Sequence, residues 1–206
     1  RLVLPVVGKN GPDVRSPRGG GPAAVNARMQ ALGMQGIRVD RYIWEMLAHY
    51  LGEPEASAEH PLDPATYARL DSARRSPEER DRLTRLYNGD PRDTSTPEGM
   101  ARLLRRIWEG EVLEAETTAL LKTIMRDTRT GQGRLRGMLP DGTPVAHKTG
   151  TVGDVINDVG VIALPDGRGE VVVAVFVKAK GGEARDRAIA QVARAVHDYF
   201  LFVPER

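Results

Sequence analysis

Val145-Ala146-His147-Lys148-Thr149-Gly150-Thr151 leads into Val159-Gly160-Val161-Ile162-Ala163-Leu164 and then Glu170-Val171-Val172-Val173-Ala174-Val175-Phe176-Val177. Rich in β-branched residues and bounded by turn formers, these stretches predict three strands over 145–151, 159–164 and 170–177. Pro165-Asp166-Gly167-Arg168-Gly169 joins the last two, and its glycines admit the positive φ a tight turn requires. Strands in such close succession form an antiparallel meander. Their apolar runs are nearly continuous rather than alternating, which predicts a sheet covered on both faces. A helix from Glu183 to Phe200, with Ile189, Val192, Val196 and Tyr199 or Phe200 inward, supplies one cover.

Upstream the period is helical. Thr96-Pro97 offers a cap and a first turn, and Met100, Leu103, Leu104 and Ile107 follow at i, i+3, i+4 and i+7. A second helix over 114–126 puts Leu120, Leu121, Ile124 and Met125 on one side, so the two form an antiparallel pair. Between Gly52 and Asp93 proline, acidic residues and arginine dominate and predict short surface helices, one starting at Ser76 with Glu79 in a reciprocal capping box. Before that, a helix runs from Pro22 to Leu32 and stops at Gly33, and Val39, Ile43, Leu47 and Leu51 continue a helical period. Residues 1–19 read as irregular. The fold class is α+β: a helical region, then an antiparallel β-sheet covered by a C-terminal helix. Residues 20–206 read as one domain, with 20–130 mainly helical and 144–206 a β-meander plus terminal helix.

Composition narrows the function. The 206 residues are 40% hydrophobic and 28% charged, and no run approaches the ~18 apolar residues of a membrane span. The absence of cysteine removes disulfides, thiolate zinc sites and cysteine nucleophiles together. Net charge is +2, and of 30 basic residues only five are lysine. Arginines alternate with acids, as in Arg74-Arg75-Ser76-Pro77-Glu78-Glu79-Arg80-Asp81-Arg82, which reads as a solvated helix face and not a nucleic-acid surface. Arg1 to Val7 is too short an apolar segment for a signal peptide. His49 and His60 have no helically spaced partner, so no metal site is expected, and Trp44 and Trp108 fall in apolar-periodic segments as core residues. In Lys148-Thr149-Gly150-Thr151 a cation, hydroxyls and a position without a side chain share one strand, a combination suited to a carboxylate-bearing substrate. Alternation sends His147 to the face opposite Lys148.

His147-Lys148-Thr149-Gly150-Thr151, Asn157-Asp158-Val159-Gly160 with the Val-rich strand after it, Asp90-Pro91-Arg92-Asp93-Thr94-Ser95-Thr96-Pro97-Glu98-Gly99-Met100, Gly20-Gly21-Pro22, Leu32-Gly33 and Val39-Asp40-Arg41 occur in an order that resembles class A β-lactamases over about residues 20–203. The resemblance implies a β-lactamase/transpeptidase-like fold in which Lys148, Thr149, Gly150 and Thr151 line the substrate pocket and their strand helps to form an oxyanion hole. It implies that Arg41 and Asp93 close an expanded Ω-loop-like region, 41–93, by a salt bridge. It further implies a monomer, periplasmic or secreted, acting on a small-molecule β-lactam or related carboxylated amide without a metal or organic cofactor.

Of the family's motif set S-x-x-K, S-D-N and K-T-G, only the last occurs. Ser16, Ser57, Ser72, Ser76 and Ser95 are followed at the third position by Gly19, His60, Arg75, Glu79 and Glu98, and at the second by Arg18, Glu59, Arg74, Glu78 and Pro97. The resemblance therefore implies an N-terminally incomplete fold, with the nucleophile's helix and two strands upstream of Arg1 and an unpaired sheet edge where those strands belong. The family's deacylating Glu stands two residues after the arginine matched by Arg41. Ile43 is there instead, which leaves Glu45 either as a general base or as an exposed helix-face glutamate. No arginine near Asp158-Val159 matches the family's carboxylate-recognising one, and Arg185 or Arg187 on the last helix are substitutes. The implied activity is hydrolysis of a β-lactam amide through an acyl-enzyme. A penicillin-binding-type acyltransferase or related serine hydrolase is one alternative, and a noncatalytic fragment or binding module is the other.

Overall fold

The computed structural model describes residues 21–203 except 58, 61 and 74, so the segment 1–19 lies outside the described residues. The chain divides into two compact units, 1–95 and 96–206.

In the first unit, α1 (Pro22–Ala31) has proline in its first turn and ends ahead of Gly33, whose φ is +65°. Asn26 pins it to the segment that follows: its Nδ2 donates to the carbonyl of Val39 at 2.5 Å, and its Oδ1 accepts the Val39 N–H at 3.0 Å. The next helix, α2 (Ile43–Tyr50), does not begin at Val39 as the apolar period suggests. The N–H groups of Asp40 and Arg41 donate to Asp93 Oδ1 at 2.6 and 2.9 Å, which holds that stretch out of a helix. Tyr42 then caps α2 in extended conformation, and Glu45 Oε2 accepts its N–H at 2.7 Å. The shifted start rotates the helix, so Ile43 is 75% exposed while Ala48 is buried. Two further helices follow, α3 (Pro64–Ser72) and α4 (Pro77–Gly89), capped by Asp63 and Ser76. Only half of the expected capping box at Ser76 forms. Its Oγ accepts the Glu79 N–H at 3.2 Å, but the Glu79 carboxylate grips Arg82 at 2.8 and 2.9 Å instead of reaching back. Helices α2 and α4 pack together, with Tyr50 and Tyr87 edge to face at 5.4 Å.

The two ends of segment 41–93 meet at a buried guanidinium. Arg41 Nε lies 2.5 Å from Asp93 Oδ2 and Arg41 Nη1 lies 3.0 Å from Asp90 Oδ2, so the expected Arg41–Asp93 pair forms and gains a second carboxylate. Asp93 has φ +52°, a conformation aspartate and asparagine tolerate better than other side chains. His49 joins the cluster. Its Nδ1 faces Arg41 Nη1 at 2.9 Å and Arg92 Nη2 at 3.4 Å, both obligate donors, while its Nε2 faces the Ala56 carbonyl at 2.7 Å. These partners select the neutral tautomer with the proton on Nε2. The Arg92 side chain holds the Asp90 carboxyl well below the usual carboxylate range against the opposing effect of burial, and Arg41 adds to it. Burial likewise opposes ionisation of Asp40, but the Asp93 N–H and Arg38 outweigh it and lower its pKa.

The second unit is a three-stranded antiparallel sheet between helices. On one face lie α5 (Pro97–Trp108), capped by Thr96 Oγ1 accepting from Gly99 N at 3.0 Å, and α6 (Ala115–Arg126). The strands are β1 (Val145–Val152), β2 (Val155–Ala163) and β3 (Glu170–Lys178), in the order β1-β2-β3. Helix α7 (Glu183–Phe202) lies on the other face. Alternation sorts the apolar run as a doubly covered sheet requires. Val145, Ile156, Ile162 and Val173 meet Ile189 and Ala193 of α7, while Ala146 and Val159 meet Leu104 of α5 and Met125 of α6. Strand β2 begins at Val155, four residues before the predicted start, because Gly153 and Asp154 make a two-residue turn in which Gly153 takes φ +54°. Two helix faces differ from those predicted. On α6, Leu121 and Met125 pack on the sheet while Leu120 and Ile124 are exposed. On α7 the buried line is Ile189, Ala190, Ala193 and His197, leaving Val192, Tyr199 and Phe200 exposed. Among the described residues the outer edges of both β1 and β3 pair with no strand.

Replacing Asp93 tests the closure of 41–93. Asp93→Ala is expected to destabilise the first unit by about 3 kcal/mol, the lower end for a broken buried pair because Asp90 still faces Arg41. Asp93→Asn, which keeps the backbone conformation and an acceptor, is expected to cost less, with denaturant unfolding followed through hydrogen exchange in α2. Because Asp90 and Asp40 have folded pKa values below their unfolded ones near ~3.9, their contribution is complete above about pH 5 and is lost as pH falls through the folded values.

Candidate functional site

Lys148, Thr149, Gly150 and Thr151 occupy the C-terminal half of β1, directly before the Gly153 turn. Lys148 is exposed and His147 wholly buried, in keeping with the expected alternation. Lys148 Nζ donates to the Thr149 carbonyl. The loop after α6 runs beside this strand: Thr128 Oγ1 donates to the His147 carbonyl at 2.7 Å, and Thr130 Oγ1 and Thr149 Oγ1 share a hydrogen bond at 2.6 Å. That approach needs Gly131, where φ is +63° and a Cβ would stand 2.6 Å from Thr149 Cγ2. Gly150 is different. Its φ is ordinary and a Cβ there would touch nothing nearer than Asn157 at 3.8 Å, so packing within the fold does not demand glycine at this position.

Behind the strand sits Arg134, a residue the sequence reading missed and only 8% exposed. Its Nη2 donates to Thr151 Oγ1 at 2.7 Å, its Nη1 to the carbonyls of Gly150 and Asn157 at 3.1 Å each, and its Nε pairs with Asp186 of α7 at 2.8 Å. One planar guanidinium therefore fixes β1, its neighbour β2 and the closing helix. The two arginines of α7 named as candidates for carboxylate recognition stand elsewhere than Arg134. Arg185 Nη1 donates to the carbonyls of Gly153 at 3.0 Å and Ala179 at 3.3 Å, bracing the β1–β2 turn, and Arg187 is exposed.

Beneath Lys148 lies a charged cluster in an otherwise apolar interior. His147 and Asp158 are both 0% exposed. His147 Nδ1 is 2.9 Å from each oxygen of the Asp158 carboxylate, whose Oδ2 also accepts the Leu135 N–H at 3.2 Å. Arg136 Nε donates to His147 Nε2 at 3.4 Å, so Nε2 is the acceptor and the imidazole proton sits on Nδ1, aimed at the carboxylate. Room for the ring comes from Gly160, where a Cβ would stand 2.5 Å from the Ala146 carbonyl and 2.7 Å from His147 Cβ. The sequence carried a signal for this pair in a charged residue, Asp158, standing next to the apolar run of the predicted second strand.

The remaining candidates separate. Glu45 is 8% exposed, not on an open helix face, and its carboxylate caps Tyr42. His49 belongs to the Arg41 cluster, and Trp108 packs against the core below α5 with Lys122 Nζ 5.1 Å from its ring centroid. No helix among the described residues is long and apolar enough to cross a membrane.

A family model described as the β-lactamase enzyme family matches residues 17–200. The chain belongs to that family. Extended-spectrum β-lactamase PER-1 of Pseudomonas aeruginosa is 43% identical over 111 residues, covering 50% of this chain and 36% of that protein. A β-lactamase of Mycobacterium tuberculosis is 36% identical over 136 residues, covering 64% and 42%. Among solved structures, TLA-1 extended-spectrum β-lactamase superposes with a TM-score of 0.61 at 26% identity over 88% of this chain and 55% of its own. The ancestral Gram-negative class A enzyme superposes at 0.62 with 33% identity over 87% and 56%. The architecture is that of class A β-lactamases, and the chain spans about half the length of the solved structures it matches.

Within this β-lactamase-like sheet the His147–Asp158 pair makes a direct stability test. Asp158→Ala strands the His147 and Leu135 N–H groups in the interior and is expected to cost about 3–5 kcal/mol in urea unfolding. Asp158→Asn, which retains an acceptor, is expected to lose less. Equal losses for the two variants would show that the acceptor does not matter.

Proposed function

We propose that the β1 strand is the substrate-binding wall of a β-lactam-hydrolysing serine hydrolase that works through an acyl-enzyme, with no metal or organic cofactor. The observation carrying this reading is the Lys148-Thr149-Gly150-Thr151 segment, exposed at Lys148 and Thr151 and held by Arg134 and Thr130, in a chain of this family. The ammonium of Lys148 attracts the substrate carboxylate and stabilises charge that develops on acylation, while Thr149 and Thr151 present hydroxyls whose rotation is restricted by Thr130 and Arg134. Gly150, where the fold leaves a Cβ unopposed, keeps space for the ligand against the strand. Arg134 places a second positive charge behind Thr151, moderated by Asp186. The two units are read as parts of one β-lactamase-like domain, acting as a monomer in the periplasm or outside the cell.

A penicillin-binding-type acyltransferase is the second reading, and one observation favours it. At the position where the family has its deacylating glutamate stands Ile43, mostly exposed, and the nearest carboxylate, Glu45, is engaged in capping α2. No serine among residues 1–206 precedes a lysine by three residues, so these residues do not contain the family's S-x-x-K nucleophile motif.

Nitrocefin and a fluorescent penicillin separate the readings. The 206-residue chain by itself is expected to show no covalent label after denaturation. The whole gene product is expected to turn nitrocefin over, whereas one stoichiometric burst without turnover supports the acyltransferase. Lys148→Ala should lower kcat/KM by about 10²–10³-fold, the loss typical of a removed charge-stabilising donor, and an unchanged value would remove β1 from the site.

A further inference from the structure

Beside the outer edge of β1, Arg126, Asp127, Thr128, Arg129, Gln132 and Arg136 enclose an open basin of about 640 Å³. Five of the unit's other arginines have a carboxylate partner, whereas Arg168, Arg185 and Arg187, like those of the basin, have none among the described residues. Arg102 pairs with Glu98, Arg105 with Glu109, Arg106 with Glu111, Arg134 with Asp186 and Arg194 with Asp198. Arg126 and Arg129 are exposed and neither has an acidic partner among the described residues, although the chain has 28 acids to offer. Arg136 is anchored by three bonds: Nε to His147, and Nη2 to the carbonyls of Arg126 and Val145. Among the described residues its Nη1 has no hydrogen-bond partner, and the side chain lines the basin.

The floor is built rather than loose. Gln132 Nε2 donates to the Thr128 carbonyl at 3.1 Å, the Thr128 hydroxyl is tied to β1, and the Arg134 N–H closes a turn on the Gly131 carbonyl at 2.9 Å. The C-terminal end of α6 would ordinarily repel an anion, but three of its last four carbonyls accept hydrogen bonds. The Asp127 N–H takes those of Thr123 and Met125, and Arg136 takes that of Arg126. Three arginines against the single carboxylate of Asp127 give the lining of the basin an excess of positive charge.

We propose that this basin is an oxyanion site for a dianionic phosphate-type group, with Arg126 and Arg129 as mobile arms and Arg136 as the fixed donor. Planar guanidinium forks match phosphate oxygens two at a time, and a dianion gains more than a monoanion from three of them. The site does not depend on β-lactam chemistry and its test needs no turnover.

Titrating the whole 206-residue chain with inorganic phosphate, calorimetrically and by amide NMR, is expected to give saturable 1:1 binding with shifts centred on residues 126–132. Acetate should bind far more weakly, and rising salt should weaken phosphate binding. Arg126→Gln with Arg129→Gln should reduce phosphate affinity by about tenfold or more, whereas Arg102→Gln with Arg105→Gln, which removes the same charge from α5, should change it by less than about twofold. No saturation with the unaltered chain, or an equal loss in the α5 variant, overturns the proposal. Loss on Lys148→Ala with retention in the Arg126/Arg129 variant also overturns it, because the anion would then sit on the β1 strand. Phosphate binding here, together with a whole gene product that is neither labelled by penicillin nor able to turn nitrocefin over, refutes the proposed function and leaves this site standing.

Discussion

A single guanidinium organises the candidate site. Arg134 is buried, cannot lose its proton, and spends its donors on the Thr151 hydroxyl, two backbone carbonyls of the β1–β2 hairpin and the Asp186 carboxylate of α7. A buried cation is costly unless every donor is met, so its partners cannot drift independently. The geometry of Thr149 and Thr151 on an edge strand, which would otherwise be free to fray, is inherited from that requirement. Rigid support of this kind leaves the Thr149 and Thr151 hydroxyls pre-positioned, as the proposed binding role of β1 requires.

The His147–Asp158–Arg136 cluster does the same for the other half of β1. Placing an ionised carboxylate among Val145, Ile156 and Ile162 would be prohibitive alone, and it is tolerated because the imidazole and the Leu135 N–H both point at it. Arg136 then fixes the tautomer from the far side of the ring. Breaking such a cluster costs far more than never having had it, so its contribution is to the uniqueness of the β1–β2 packing that holds Lys148 outward. Gly160 is the enabling residue, since a Cβ there would collide with the Ala146 carbonyl and with His147 Cβ and so displace β1 at the base of the ring.

Much of the fold was legible in the sequence because periodicity is local. The doubly covered sheet showed in unbroken runs of Val and Ile, and Thr96-Pro97 announced α5 by capping chemistry alone. Where the reading slipped, a long-range partner was responsible. Val39 continued an apolar period, yet Asp93, more than fifty residues on, takes the N–H groups of Asp40 and Arg41 and delays α2 to Ile43. Asn157 and Asp158 looked too polar for a strand interior, yet Asp158 lies opposite Thr149 and reaches His147 diagonally across the hairpin. The buried faces of α6 and α7 were misjudged because several apolar residues competed for one stripe, and periodicity ranks none of them. Lys148 and its neighbours were legible as a contiguous motif, whereas Arg134 acts through space on residues up to 52 positions away and leaves no local mark.

The long segment between Arg41 and Asp93 is explained by how weakly closure depends on length. Loop entropy grows with the logarithm of length, so even a threefold extension adds only about 1 kcal/mol to the cost of closing it. That cost is offset where the ends meet, by Arg41 held between Asp90 and Asp93 with His49 as a neutral acceptor. The intervening residues meet their own ordering cost by packing α2 against α4 through Ala48, Leu83 and the Tyr50–Tyr87 contact. Lengthening is therefore compatible with an unchanged closure, provided that the inserted helices bury their own apolar residues. The exposed, acid-paired surface of α4 and the buried, doubly paired Arg41 are the two halves of that solution.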